Sequence, residues 1–291
     1  MNQPPLDSLA QALGLSCGEL SYRSTGSGFL PTGRLEHPSG DWFVKSAPID
    51  QSDPLLAEAD GLKRLAAAGR VSVPAIRGCF RIENAHWLVL EWIDLQPLSG
   101  AGAVQLGRQL ATLHRDATST RHGLDRDNWI GATPQVNTPA EDWAAFFFDH
   151  RLDALIDRLG KQGAEVGPET SNRLRDAWSA RFCDYRPIPS LLHGDLWGGN
   201  AGQLPDGRPV VFDPAVHYGD RECDLAMASL FGGFDTAFFD AYQAAWPLEP
   251  DWQLRGEYYQ LYHVLNHALL FGGGYMADAR RRIARLVGDT S

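Results

Sequence analysis

An Asp-Gly dipeptide at Asp206-Gly207, flanked by strand-like residues, marks a two-residue β-hairpin turn. Such a turn constrains the chain strongly, because it decides which residues face each other. Symmetric pairing about the dipeptide sets Asn200 opposite Asp213, with Cβ atoms roughly 5 Å apart, close enough for two oxygen ligands to share one cation. Upstream of the hairpin lies His193-Gly194-Asp195-Leu196-Trp197-Gly198-Gly199-Asn200, and beyond it an apolar run ends in Asp213-Pro214-Ala215.

An Asp and an Asn five positions apart behind a His, with another Asp thirteen positions later, is the layout of a kinase catalytic loop and its metal-binding carboxylate. Phosphoryl transfer needs an aligned acceptor hydroxyl, neutralised phosphate charge and a carboxylate near the acceptor proton. Asp195 is expected to be that carboxylate, within roughly 3 Å of the attacking oxygen. Asn200 and Asp213 are expected to hold magnesium on the phosphates of ATP, since this ion prefers hard oxygen ligands and takes only one or two from protein. A lone Asp or Asn in a glycine-rich loop is ordinarily a turn former. Three in this register, joined by a distal Lys and Glu, argue for a site.

Those distal residues come from the N-terminal part. Residues 22–47 alternate short apolar pieces with Gly26, Gly28, Gly33 and Gly40, as hairpin-connected strands do. Asp53-Pro54 predicts a helix N-cap with proline at the first helical position, and Gly69 predicts the stop. Leu55, Ala59, Leu62, Leu65 and Ala66 share one face of that helix, and Glu58 points into the same stripe. An acid there is costly unless paired. Lys45, on the preceding strand, is the nearest partner, and it is expected to contact the α and β phosphates while Glu58 directs it.

An apolar strand over 86–93 runs into a linker, and helical patterns follow at 103–115, 139–159, 169–181, 224–231, 236–245, 252–271 and 275–287. The expected fold is therefore α+β and two-lobed. A small β-rich N-lobe with one helix, residues 1–93, binds nucleotide; a larger, mainly helical C-lobe, residues 94–291, carries catalysis and substrate binding. The 291 residues suffice for one large or two ordinary domains. A net charge of −10 argues against a nucleic-acid surface. No stretch approaches a membrane span and residues 1–15 have no basic, apolar leader pattern, so the cytoplasm is the expected compartment. Cys17, Cys79, Cys183 and Cys223 are scattered, which suits reduced thiols in packing roles.

Other residues carry weaker signals. Gly26-Ser27-Gly28 fits a phosphate-covering loop or an ordinary hairpin turn. Glu91 and Ile93 flank Trp92 at the lobe junction, where backbone groups either bond an adenine edge or merely link the lobes. Trp197 offers a sugar ring an indole face, or fills core. His263, Asn266 and His267 share a helix face at i, i+3 and i+4, as a sugar-binding cluster or as buried histidines. Asp224 reads as a helix cap or loop brace. Gly194 stands where a protein kinase has Arg, and Pro214-Ala215 where it has Phe-Gly, which points to a constitutively assembled small-molecule kinase.

Together with Leu230-Phe231-Gly232-Gly233-Phe234, Leu261-Tyr262-His263-Val264-Leu265-Asn266-His267 and Asp127-Asn128-Trp129-Ile130-Gly131-Ala132-Thr133-Pro134-Gln135, these segments make the chain resemble the fructosamine kinase family. These ketosamine 3-kinases are relatives of aminoglycoside phosphotransferases within the protein-kinase-like fold. The resemblance runs from about residue 20 to 286. It implies ATP- and magnesium-dependent phosphorylation of the 3-hydroxyl of a small-molecule or protein-linked ketosamine, as a step in deglycation. Ribulosamines and erythrulosamines are the expected acceptors ahead of bulky protein-bound fructosamines. It also implies Asp195 as acid/base and Asn200 and Asp213 as metal ligands. Some relatives carry a redox-linked Cys in the glycine-rich loop; residues 26–30 have none, so thiol-switched dimerisation is not expected, and the expected state is a monomer. Another kinase of this fold, acting on a sugar, choline or an aminoglycoside, and a nucleotide-binding pseudokinase remain alternatives.

Overall fold

The computed structural model describes residues 4–288; the outermost residues of the two expected lobes, 1–3 and 289–291, lie outside it. Helix α1 (Leu6–Leu13) leads into β1 (Ser21–Ser27), β2 (Pro31–Glu36), β3 (Trp42–Pro48), α2 (Asp53–Ala68), β4 (Ile76–Ile82) and β5 (Ala85–Glu91). These strands form one antiparallel sheet in the order β1-β2-β3-β5-β4. Helix α1, which the sequence reading leaves out, covers one face of the sheet: Leu9, Ala10 and Leu13 pack with Leu35, Val44 and Val89. On the other side Leu55, Ala59 and Leu62 of α2 pack with Ala47, Leu88 and Leu90. Each buried leucine is worth about 1.5–3 kcal/mol. Leu65, one turn on, joins the core of the helical lobe instead, so α2 belongs to both lobes.

The C-lobe contains α3 (Gly100–Asp116), the short hairpin β6 (Asn128–Ile130) and β7 (Thr133–Gln135), and α4 (Trp143–Phe147), which continues through a π-helical stretch into α5 (Ala154–Lys161). Then come α6 (Pro168–Phe182), β8 (Ser190–Leu192), β9 (Ala201–Gln203), β10 (Pro209–Val211), β11 (His217–Gly219), α7 (Glu222–Leu230), α8 (Thr236–Ala245), α9 (Trp252–Phe271) and α10 (Gly274–Leu286). Helix α9 runs through the main core, where Tyr258, Tyr259 and Tyr262 meet Trp143, Phe147, Trp178 and Phe182. No helix among the described residues is long and apolar enough to cross a membrane.

Three local expectations change. The hairpin forms, but Val211 pairs with Ala201 and Phe212 N–H donates to Asn200 O at 3.0 Å, so Phe212 and not Asp213 lies opposite Asn200. Pro205 is the reason. It fits the second position of a turn closed by Gly207 N–H to Leu204 O (2.8 Å), and Gly207 takes a left-handed φ of 85°. The connection is thus a three-residue loop with a glycine bulge, which shifts the register by one. Second, Ser52 occupies the N-cap of α2, and Asp53 turns its carboxylate to Trp129 and Arg126. Third, only Cys223 is buried; Cys17, Cys79 and Cys183 are exposed free thiols.

Candidate active site

Lys45 and Glu58 meet as their patterns require. Lys45 Nζ lies 2.8 Å from Glu58 Oε2, and it also lies 2.7 Å from Asp213 Oδ1. Asp213 has φ 56°, rare for a residue with a side chain. This kink, where β-pairing ends, turns the carboxylate out of the hairpin toward the N-lobe. Burial works against the Lys45 ammonium, but attraction from Glu58 and Asp213 outweighs it and holds the pKa above the ordinary lysine value. Burial raises Glu58 to about 7 against the pull of Lys45, and Asp213 adds to the rise. Lys45 is therefore the charged member, shared between two acids.

Asp195 sits behind a rigid loop. Asn200 Nδ2 donates to its carbonyl (2.9 Å) and to its Oδ2 (3.0 Å), while Asn200 Oδ1 takes no hydrogen bond among the described residues. Burial raises Asp195 to about 7, with the charges of Asp213 and Asp224 adding to it and the Asn200 bond opposing. His193 spans the two halves of the site: Nε2–H donates to Phe212 O at 3.0 Å, which leaves Nδ1 to accept from Asp195 N–H at 3.3 Å. Gly194 has φ 83°, and a Cβ there would collide with Ala215 O. The arginine of protein kinases has no room at this position.

Asp224 is the brace that the loop needs. Its oxygens accept from His193 N–H (2.7 Å), Gly194 N–H (2.8 Å) and His114 Nε2 (3.2 Å), all in the interior. Asp224→Asn should destabilise the fold by about 1–3 kcal/mol, because an amide oxygen can replace only one carboxylate acceptor and its NH2 faces donors. Urea unfolding at pH 7 reads this; an unchanged midpoint would deny the brace.

The remaining expected residues separate into groups. Gly26 pairs with Thr32, and Thr32 with Lys45, so the β1–β2 tip stands two strands, roughly 10 Å, from the lysine. Gly28 lies in open space beside Phe29, whose ring reaches Phe271 of the C-lobe, centroids 6.0 Å apart. Glu91 N–H is already bonded to Ala75 O at 2.8 Å and its carboxylate to Ala75 N–H at 3.3 Å, whereas Ile93 has no backbone bond among the described residues. Trp197 is 39% exposed and lies over Gly199, where a Cβ would strike the indole. Its ring meets Phe231 edge-on, and Phe231 packs on His267 at 4.6 Å. His267 thus shares the open rim with Trp197. His263 and Asn266 do not: both are buried, and burial lowers His263 to about 3. Tyr275, which closes the Phe271–Tyr275 glycine-rich segment, packs on Phe231 and His267 at this rim; sequence reasoning passed over Phe29, since a single aromatic next to a glycine has no periodicity to reveal it.

The donor set fits a nucleotide and magnesium. Asp213 and Asn200 offer hard oxygens, and Lys45 offers a cation at the base of the cleft. Among the described residues no group of three or more His, Cys, Asp or Glu side chains is placed to hold a metal.

The chain matches the family model for fructosamine kinase over residues 8–289. It is 38% identical to a probable ketoamine kinase of Synechocystis over 296 residues, covering 97% of each chain. A crystal structure of a candidate fructosamine-3-kinase from Haemophilus somnus superposes with a TM-score of 0.89 at 27% identity, covering 97% of this chain and 96% of that one. The fold is shared more widely. A thermostable mutant of aminoglycoside phosphotransferase APH(4)-Ia, solved with ADP and hygromycin B, gives a TM-score of 0.65 at 14% identity, with 99% of each chain covered. The fold is kinase-like, and by its match over nearly the whole chain this chain belongs to the fructosamine kinase family.

Proposed function

We propose that the protein transfers the γ-phosphoryl group of ATP to the 3-hydroxyl of a small ketosamine, ribulosamines and erythrulosamines ahead of bulky protein-bound adducts. The observation that carries this reading is Lys45 Nζ set between Glu58 and Asp213 across 168 positions of sequence, beside Asp195 held by Asn200. Bound magnesium ATP supplies the phosphoryl group, with Asn200 Oδ1 and the Asp213 carboxylate as ligands for the ion. Lys45 neutralises phosphate charge. Asp195 accepts the proton of the acceptor hydroxyl. Trp197 and His267 line the rim through which a sugar enters, and the backbone of Ile93 faces the adenine. Phosphate on the 3-oxygen labilises the adduct and frees the amine, which is the chemistry of deglycation.

The test is a panel of acceptors with magnesium ATP: free ribulosamine, erythrulosamine and fructosamine, a protein-linked ribulosamine, choline and an aminoglycoside. Phosphorylated ketosamine is expected, and turnover confined to choline or the aminoglycoside would replace the substrate assignment. The pH profile checks the base. Asp195 must be ionised to accept a proton, so kcat/KM for the acceptor should rise through about pH 7 on the acid side. A limb near the ordinary carboxylate value would mean that another group takes the proton.

A further inference from the structure

The segment Asp127–Gln135 has no task in this chemistry, yet it is tightly bonded on two sides. On the inner side Asn128 Nδ2 donates to Val216 O (2.7 Å), and Gln135 Nε2 donates to Asn128 Oδ1 (2.7 Å) and Ala215 O (3.3 Å). Tyr262 OH closes on Gln135 Oε1 at 2.7 Å. Both amides are buried. Ala215 and Val216 directly follow Asp213-Pro214, so these bonds hold the strand end that carries the Asp213 carboxylate.

On the outer side the same hairpin holds the helix that carries Glu58. Trp129 Nε1 donates to Asp53 Oδ2 at 2.7 Å, and Arg126 Nη2 to Asp53 Oδ1 at 3.1 Å. One flank away, Arg64 Nη2 donates to Asp125 Oδ1 at 2.7 Å. Asp53 and Arg64 lie near opposite ends of α2, so the helix is gripped twice along its length. Between the grips it touches the Asp213 segment directly. A Cβ on Gly61 would stand 3.1 Å from Pro214 Cγ and 3.4 Å from Val216 Cγ2. Glycine in mid-helix is unfavourable, and here it permits the close approach.

We propose that the β6–β7 hairpin is a clip that sets the position of Glu58 relative to Asp213, making Asp53, Gly61, Arg126 and Trp129 positioning residues for Lys45. The inference rests on the phosphotransferase reading of Lys45. Magnitudes distinguish positioning from stabilisation. Asp53 is 60% exposed in its ion pair with Arg126, and exposed pairs contribute little to stability. A displacement of about 1 Å in a catalytic constellation, however, costs up to about 10²-fold in rate. The clip should therefore appear in turnover and not in melting temperature. It also explains how α2 is kept in place in a chain where the phosphate-receiving arginine of protein kinases is replaced by Gly194.

The experiment measures kcat, KM for ATP, KM for the ketosamine and Tm in the full chain. Variants are Asp53→Ala, Asp53→Asn, Trp129→Phe, the Asp53→Ala/Trp129→Phe double, and Lys45→Met as the reference. Asp53→Ala and Trp129→Phe should each lower kcat/KM for ATP about 5–20-fold, with Tm within about 2 °C of wild type and KM for the ketosamine within twofold. The double should be no worse than Asp53→Ala alone, because that variant already removes the bond from Trp129 together with the one from Arg126. Asp53→Asn should recover most of the loss, since its Oδ1 can accept from Trp129. Activity of both single variants within twofold of wild type, or a loss that tracks a fall in Tm, overturns the clip. Should Lys45→Met itself stay within twofold of wild type, the reading of Lys45 fails and takes the clip with it; should it be inactive while the clip variants stay active, only the clip fails.

Discussion

Asp195→Asn is expected to lower kcat by about 10²–10⁴-fold, the range that a positioned general base contributes, while ATP affinity stays within a few-fold. The variant should also be more stable than wild type at pH 8. Burial holds the Asp195 carboxyl at about 7, above its ordinary value of 3.8. With the folded pKa raised, the folded state binds the proton more tightly than the unfolded chain, so stability falls as pH rises from about 4 to 7 and stays low above. An amide cannot ionise and escapes that penalty. Thermal melts at pH 5 and pH 8 test this: the gain in Tm should be larger at pH 8. A variant that keeps most of its turnover would sink the assignment of Asp195, and one that is destabilised at pH 8 would show that the Asn200 bond outweighs burial.

Lys45→Met is the second large effect, and it acts on stability and rate together. Removing the ammonium leaves Glu58, whose side chain is only 12% exposed, and half-buried Asp213 facing each other without a cation. Losing one partner of a buried pair costs about 3–5 kcal/mol, and kcat/KM for ATP should fall about 10²–10³-fold with the loss of a fixed charge on the phosphates. The sign with pH follows from Glu58. Its carboxyl already stands at about 7 and rises further without Lys45. Above its unfolded pKa each further step in pH penalises the folded state until Glu58 ionises, so the destabilisation should be smaller at pH 5, where the group is protonated in the folded variant. Lys45 itself titrates too high to matter in this window. Denaturant unfolding at pH 5 and 8 decides: equal losses at both would mean that Glu58 is not the group left unpaired.

Much of the site was legible because its parts are local. The five-residue spacing of Asp195 and Asn200 puts the amide back on the carbonyl and carboxylate of the same turn. The α2 pattern, with an acid in an apolar stripe, demanded a buried cation, and the preceding strand offered the nearest one, Lys45. The limits of α8 and α9 agree with their periodic patterns. The register of the β9–β10 hairpin was legible in principle, since Pro205-Asp206-Gly207 specifies a turn ending in a glycine bulge, but the Asp-Gly pair alone suggests the shorter loop.

The sequence by itself determined which polar residues this protein sets into its loops and on which elements they lie, because short-range spacing, helix periodicity and turn residues act over a few positions. Tertiary structure alone decided where those groups point. Asp213 reaches Lys45 through a left-handed kink and a contact spanning 168 positions, and Asp53 reaches Trp129 over 76. His263, Asn266 and His267 share a helix face, yet packing buries the first two and leaves the third at the rim. The physical reason is the same in each case: burial and long-range pairing are properties of what packs against a side chain, and no local pattern records the neighbour.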